Sequence, residues 1–321
     1  MKKDGIFISW ESHTRSKSLS RALDIRLFEI KVSGNRFKRY LVSVIKTILL
    51  IRKHDPATII IQNPSIVLAF VSILLFSWHR KIVMDAHNAA IYPLEGRYKL
   101  LNNFASFLLR KSDLVIVTND DLHRTVEEMG ARSFVLPDPI PSLPVRSGKT
   151  ELKKSTLPQI IFVCTWASDE PYLEFLEAAN LLQKEYMEIK ITGRAPESVK
   201  IRSLPNNLEL TGFVTELHYW NLLESATVVV DLTTRENCLV CGAYEAAAVG
   251  IPCVLSDSVA ARRTFTNGYV FVENKASEIA KGISLALDSQ RELRDGISEF
   301  RSIHQSYIRQ KTVALCVEIG F

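Results

Sequence analysis

The stretch that most restricts the fold is residues 228–257, VVVDLTTRENCLVCGAYEAAAVGIPCVLSD. It predicts a buried strand over 228–232, a polar turn over 233–237 and a helix over 238–249. A Gly250-Ile251-Pro252 stop then leads into a second buried strand over 253–255. Strand, loop, helix and strand make a βαβ unit, and its loop lies at the carboxyl end of a strand, where open α/β sheets bind ligands. The first turn of such a helix carries unpaired backbone N–H groups that favour anions. Glu245 falls about two turns into the predicted helix, among the small residues Cys241, Gly242 and Ala248. A carboxylate there accepts two hydrogen bonds from a ribose diol, so the first ligand class to expect is a nucleotide.

Glu245 is followed by Ala246 and then Gly250-Ile251-Pro252, with Glu236 and Asn237 upstream in the loop. This segment resembles the nucleotide-sugar-binding signature of GT-B-fold glycosyltransferases of the group 1 superfamily, in which a Glu, seven residues and a second Glu run through loop and helix. The resemblance implies an α/β fold of two Rossmann-like, doubly wound domains facing a cleft. It assigns Glu245 to the ribose. The first Glu of the family touches the donor sugar; the spacing places Asn237 there, with Glu236 one residue early, so both are candidates.

Cys238-Leu239-Val240-Cys241 has three readings. A helix start lowers a thiol pKa, as a redox pair needs. Half a zinc site is a second reading, but no second Cys or His pair completes it. The third, favoured here, is two small residues packing where the backbone must approach a phosphate, with Cys238, Leu239 and Val240 as donor-binding candidates. No metal is expected.

With 321 residues the chain is expected to split into two domains. We place them at 1–145 and 146–305, joined by a Pro-, Ser- and Lys-rich linker over 141–158. The family resemblance further implies that residues 306–321 cross back to the first domain. Residues 1–150 carry 23 Lys and Arg against 13 Asp and Glu, while the remainder carries 17 against 22. A basic first half and an acidic second half mean that the first faces something anionic. Five scattered cysteines suit a reducing cytoplasm, and no signal peptide is visible at the start.

In the first half a strand over 5–10 runs into a loop holding His13 and Arg15, candidates for gripping a phosphate or the acceptor. Residues 36–53 form a basic amphipathic helical pattern, and 66–78 an apolar run closed by His79-Arg80-Lys81. Thirteen residues are too few for the roughly 20 that span a bilayer. Together, however, the two segments have what a helix lying on an anionic membrane surface needs. A strand over 81–85 leads into Asp85, Ala86 and His87; Asp85 is a candidate general base, and the resemblance implies a His at this point touching the donor sugar. Asn119, just past a strand over 114–118, is a further donor-binding candidate.

In the second half the family usually places an Arg and a Lys on the donor pyrophosphate in the first loop. This chain has Thr165-Trp166-Ala167-Ser168-Asp169-Glu170 there, with neither. Arg194, Arg235 and Arg263 are the candidates to replace them. The expected activity is transfer of a sugar from a nucleotide-sugar to a glycan or lipid-linked acceptor in cell-surface polysaccharide synthesis. His87, Asp85 and His13 would serve as catalytic residues, with Arg15 on the acceptor and no cofactor. The expected location is cytoplasmic, on the inner face of the cell membrane. A GT-B epimerase acting on a nucleotide-sugar and a non-catalytic nucleotide-sugar binder are the alternatives. Nucleic acid is not an expected partner, because no recognition motif or aromatic-interleaved basic face is present.

Overall fold

A computed structural model describes residues 4–63, 65–86, 88–144, 156–182 and 186–321. The chain divides into two units: Met1–Pro139 with Ser306–Phe321, and Ile140–Gln305. The boundary expected at 145/146 lies outside the described residues, as does His87.

The first unit runs β1 (Gly5–Ser9), α1 (Thr14–Ala22), β2 (Arg26–Glu29), α2 (Arg36–His54), β3 (Thr58–Asn63), α3 (Ile66–Phe76) and β4 (Lys81–Ala86). It continues with α4 (Asn88–Ile91), a 3-10 turn (Pro93–Gly96), α5 (Lys99–Lys111), β5 (Leu114–Val117), α6 (Asp120–Glu128) and β6 (Ser133–Val135). The six strands are parallel, in the order β2-β1-β3-β4-β5-β6. Strand residues alternate between two apolar layers, as the period of two in a strand demands. Ile6, Ile8, Ile59, Ile61 and Met84 meet one layer with Leu68, Leu108 and Leu122. Phe7, Ile60, Val83 and Ile116 meet the other with Leu19, Ile308 and Leu315.

The second unit runs β7 (Gln159–Phe162), α7 (Tyr172–Leu182), β8 (Glu188–Thr192), α8 (Glu197–Lys200), β9 (Leu208–Gly212), α9 (Glu216–Ser225) and β10 (Val228–Asp231). Then come α10 (Cys241–Val249), β11 (Cys253–Ser256), α11 (Val259–Thr264), β12 (Tyr269–Val272), α12 (Ala276–Asp288) and α13 (Gln290–Ile319). Its parallel sheet has the order β12-β11-β10-β7-β8-β9. Helices cover both faces of each sheet, so both units are doubly wound Rossmann-like α/β domains. The last part of α13, from Ser306, belongs to the first unit. There the Glu318 carboxylate pairs with Arg132 at 2.5 Å, and Phe321 packs over Gly5.

Two local readings of the sequence change. Strand β2 was not anticipated: it is an edge strand whose exposed Arg26 and half-buried Glu29 hide its apolar pattern. Helix α10 starts at Cys241 rather than at 238: Val240, its N-cap, is extended and offers no side-chain acceptor. Glu245 therefore sits little more than one turn into the helix.

Candidate nucleotide site

In each sheet the strand order reverses at one point, and crevices for ligands open there at the carboxyl ends of the strands. In the second unit the reversal lies between β7 and β10. The loops that follow these two strands are tied together. Asp169 accepts from the Thr233 hydroxyl at 3.2 Å, its carbonyl accepts from the Thr234 amide at 2.7 Å, and its carboxylate pairs with Arg235 at 3.3 Å.

Helix α10 rises from the second of these loops. Its Gly250 ends it in the left-handed conformation, φ 74°, as a C-cap glycine does. Glu245 is half-buried, and its Oε2 accepts a 2.5 Å hydrogen bond from the Tyr219 hydroxyl on α9. Burial raises the Glu245 pKa, and the Tyr219 hydrogen bond works against that rise. Sequence reasoning missed Tyr219, because one aromatic residue on a helix pattern reads as core.

Asp231, the last residue of β10, sends Oδ2 to the Gly242 amide at 2.8 Å. One first-turn amide expected to meet a phosphate is thus already taken by a carboxylate. Only glycine fits there: a Cβ on residue 242 would lie 2.4 Å from that oxygen. Burial, with the charges of Glu245, Glu170 and Asp169, pushes the Asp231 pKa well above the usual carboxylate range, against the pull of the Gly242 hydrogen bond.

The loop after β7 shows the same economy. Trp166 adopts φ 66°, which turns successive amides towards one point. Glu170 occupies that point, accepting from the amides of Thr165 and Ala167 at 2.9 Å each, the Thr165 hydroxyl at 2.8 Å and the Cys164 thiol at 3.2 Å. Burial and Glu170 together raise the Cys164 pKa. The segment that lacks the expected cations thus fills its own anion-binding nest with a carboxylate.

Of the other donor candidates, Arg194 is exposed just after β8, Arg263 is exposed on α11, and Glu236 is exposed in the turn before α10. Asn237, Cys238 and Val240 are half-buried and Leu239 is buried. Neither Cys238 nor Cys241 is in a disulfide. Among the described residues no group of three or more His, Cys, Asp or Glu is placed to hold a metal ion.

Two candidates in the first unit, Arg15 and Asp85, are corrected. Arg15 is 3% exposed and Asp85 is fully buried. Arg15 Nε donates to Asp85 at 2.8 Å, Nη1 to Asp138 at 2.6 Å and Nη2 to the Leu136 carbonyl at 3.0 Å. Burial opposes the charge of Arg15, but Asp85 and Asp138 outweigh it and hold its pKa above the ordinary value. Asp85 is therefore half of a structural ion pair, not a general base, and Arg15 is not an acceptor ligand. Asn119 is buried, and its Oδ1 caps α6 by accepting from the Leu122 amide at 2.9 Å. His13 is the N-cap of α1, its Nδ1 accepting from the Arg15 amide at 3.2 Å.

Residues 157–289 match the model of the family described as glycosyl transferases group 1. No curated protein matches the sequence. Among solved structures, the sucrose-phosphate synthase of Thermosynechococcus elongatus superposes with a TM-score of 0.75 at 15% identity, covering 98% of each chain. Anabaena HepE in complex with UDP-glucose superposes with a TM-score of 0.70 at 13% identity, over 98% of this chain and 99% of that one. A putative UDP-N-acetylglucosamine 2-epimerase from Listeria monocytogenes gives a TM-score of 0.66 at 11% identity, over 98% and 96%. The fold is GT-B.

Proposed function

Starting from a group 1 glycosyltransferase match over residues 157–289 and a GT-B fold, we propose that this chain moves a sugar from a nucleotide-sugar to a glycan or lipid-linked acceptor. The second unit holds the donor and the first holds the acceptor, a precursor of a cell-surface polysaccharide. The observation that carries this reading is Glu245: a half-buried carboxylate near the start of α10, fixed through one oxygen by Tyr219 beside the β7/β10 switch point. That arrangement suits recognition of a ribose diol. The presence of UDP-glucose in HepE supports a nucleotide-sugar as the ligand class.

In this reading the sugar is met by Asn237 or Glu236. The departing diphosphate is stabilised by the remaining first-turn amides of α10 and by Arg235, with Arg194 and Arg263 in support. Arg235 is the cation tied into the loop pair at the switch point. The sequence contains no Asp-x-Asp motif, so we assign the diphosphate to these groups and to no metal or other cofactor. His87, the residue after β4 in the sequence, takes the proton of the acceptor hydroxyl, and His13, whose Nδ1 already accepts from the Arg15 amide, orients that hydroxyl through its Nε2–H.

Among the described residues no helix is long and apolar enough to cross a membrane. The first unit nevertheless has an apolar outer surface. Phe37, Leu41, Ile45 and Leu49 form an exposed stripe on α2, and Leu74, Trp78 and Leu100 are exposed on or beside α3 and α5. Arg36, Lys38, Arg39, Lys46, Arg52 and Lys53 accompany that stripe on α2. Apolar side chains ringed by cations fit an anionic bilayer surface, so we place the protein on the cytoplasmic face of the cell membrane.

The experiment is incubation of purified protein with labelled UDP-, GDP- and dTDP-sugars and a membrane extract. Label moving to lipid or glycan supports the proposal. Interconversion of the donor without acceptor would make the chain an epimerase, and tight binding with neither outcome would make it a binder.

A further inference from the structure

The strand order of the first unit reverses between β1 and β3, and a cavity of about 290 Å³ opens beside that point. Trp10 and Glu11 from the end of β1, Ser65 after β3, and Arg36, Arg39 and Tyr40 on α2 contribute to its walls. It thus lies where open α/β sheets take their ligands, and it contains none of the groups placed in the nucleotide site.

The walls are built for an anion with an apolar partner. Arg36 and Arg39 are three residues apart, hence neighbours on one face of α2. Both are exposed, and among the described residues neither is engaged in an ion pair. Trp10 is fixed by its Nε1 donating to the Thr47 hydroxyl at 3.0 Å, and its ring stands 6.0 Å from Tyr40 at a 57° tilt. The α2 N-terminus is held by Asn35, whose Oδ1 accepts from the Lys38 amide at 2.9 Å. Glu11 is the one acid on the wall, exposed at the rim, where a carboxylate can accept from a sugar hydroxyl.

Two guanidinium forks on one helix face match the oxygens of a phosphate better than a single carboxylate. The volume lies just below the roughly 300–1,000 Å³ typical of ligand pockets, room for a head group and not for a long chain. Beyond Arg36 and Tyr40 the same helix presents the exposed stripe of Phe37, Leu41, Ile45 and Leu49. An apolar tail leaving the cavity has that stripe to lie along.

We propose that this cavity binds the phosphate-bearing head group of an amphiphilic acceptor, gripped by Arg36 and Arg39 against Trp10 and Tyr40, with its apolar chain on the outer stripe of α2. The proposal deepens the transferase reading by locating and typing its acceptor, and it rests on that reading for the word acceptor alone.

The test is calorimetry on the full chain without nucleotide-sugar, using dodecyl phosphate below its micellar concentration. Glycerol phosphate serves as the anion without a tail, and dodecyl maltoside as the tail without an anion. Dodecyl phosphate should bind at least about tenfold more tightly than either, and about tenfold more weakly to the Arg36→Gln, Arg39→Gln double variant, a difference of about 1.4 kcal/mol. Equal affinity for glycerol phosphate would remove the apolar stripe from the site, and equal affinity for dodecyl maltoside would remove the arginines. Either result, or unchanged binding to the double variant, overturns the proposal. UDP-sugar titrations of the same preparations separate the two readings: loss of donor binding in the wild type sinks the transferase and leaves the cavity standing.

Discussion

The Tyr219 hydroxyl donates to Glu245 Oε2 at 2.5 Å, so a residue of α9 sets the orientation and the proton affinity of the carboxylate at the start of α10. Burial raises the Glu245 pKa and this hydrogen bond lowers it. The ionised form is the one that accepts from a diol. Donor affinity in the wild type should therefore fall as pH drops through a value above the ordinary Glu pKa of about 4.3. Tyr219→Phe removes the lowering contribution and should move that loss to higher pH. A pH series of UDP-sugar titrations on the two proteins checks this; coincident profiles would dissociate Tyr219 from the site.

Glu170 satisfies two backbone amides, a hydroxyl and a thiol in one loop. Its replacement by Ala leaves those donors without their acceptor, at a cost of about 1–3 kcal/mol. Glu170→Gln keeps one acceptor oxygen and should lose less. Urea unfolding of the two variants measures the difference. If Glu170→Ala unfolds like the wild type, the carboxylate is not what holds the loop.

Arg15 and Asp85 form a buried ion pair. Arg15→Ala strands a carboxylate that water cannot reach, which typically costs about 3–5 kcal/mol. Hydrogen exchange should show β1 and β4 losing protection together. Full protection in the variant, with only acceptor use impaired, would restore Arg15 to the binding role that the sequence alone suggested.

The outer surface of α2 and α3 should carry the protein to anionic vesicles. Flotation is expected at low salt, weaker at high salt because exposed charges are screened within about 8–10 Å near physiological ionic strength. Leu41→Glu together with Trp78→Glu should abolish it, since both side chains are exposed, Trp78 at 86%. Flotation of the double variant at wild-type level would place the membrane contact elsewhere.

How much of this was legible in the sequence depends on what each residue's neighbours are. Strands β7, β10 and β11 are buried along their whole length, so unbroken apolar runs announced them. Strand β2 went unread because it lies at an edge with Arg26 exposed. The start of α10 was misplaced because Val240 is an N-cap without an oxygen, leaving no capping signal to read. Glu245 is a candidate from its position along the chain and from the family resemblance. Its partner Tyr219 lies 26 residues away and Asp85 lies 70 from Arg15, so only tertiary packing reveals either pair. The absent Arg and Lys in residues 165–170 were plain in the sequence. That Glu170 would turn back and fill the nest they leave depends on the φ of Trp166, which no residue spacing encodes.

The most direct measurement is calorimetric binding of UDP, GDP and dTDP-sugars to the wild type and to Glu245→Ala. The wild type should bind at least one of them, and the variant should show no binding up to the solubility limit while its circular dichroism and melting remain those of a folded protein. Affinity for the variant within about twofold of the wild type, less than 0.5 kcal/mol, would contradict the assignment of the α10 carboxylate to the nucleotide.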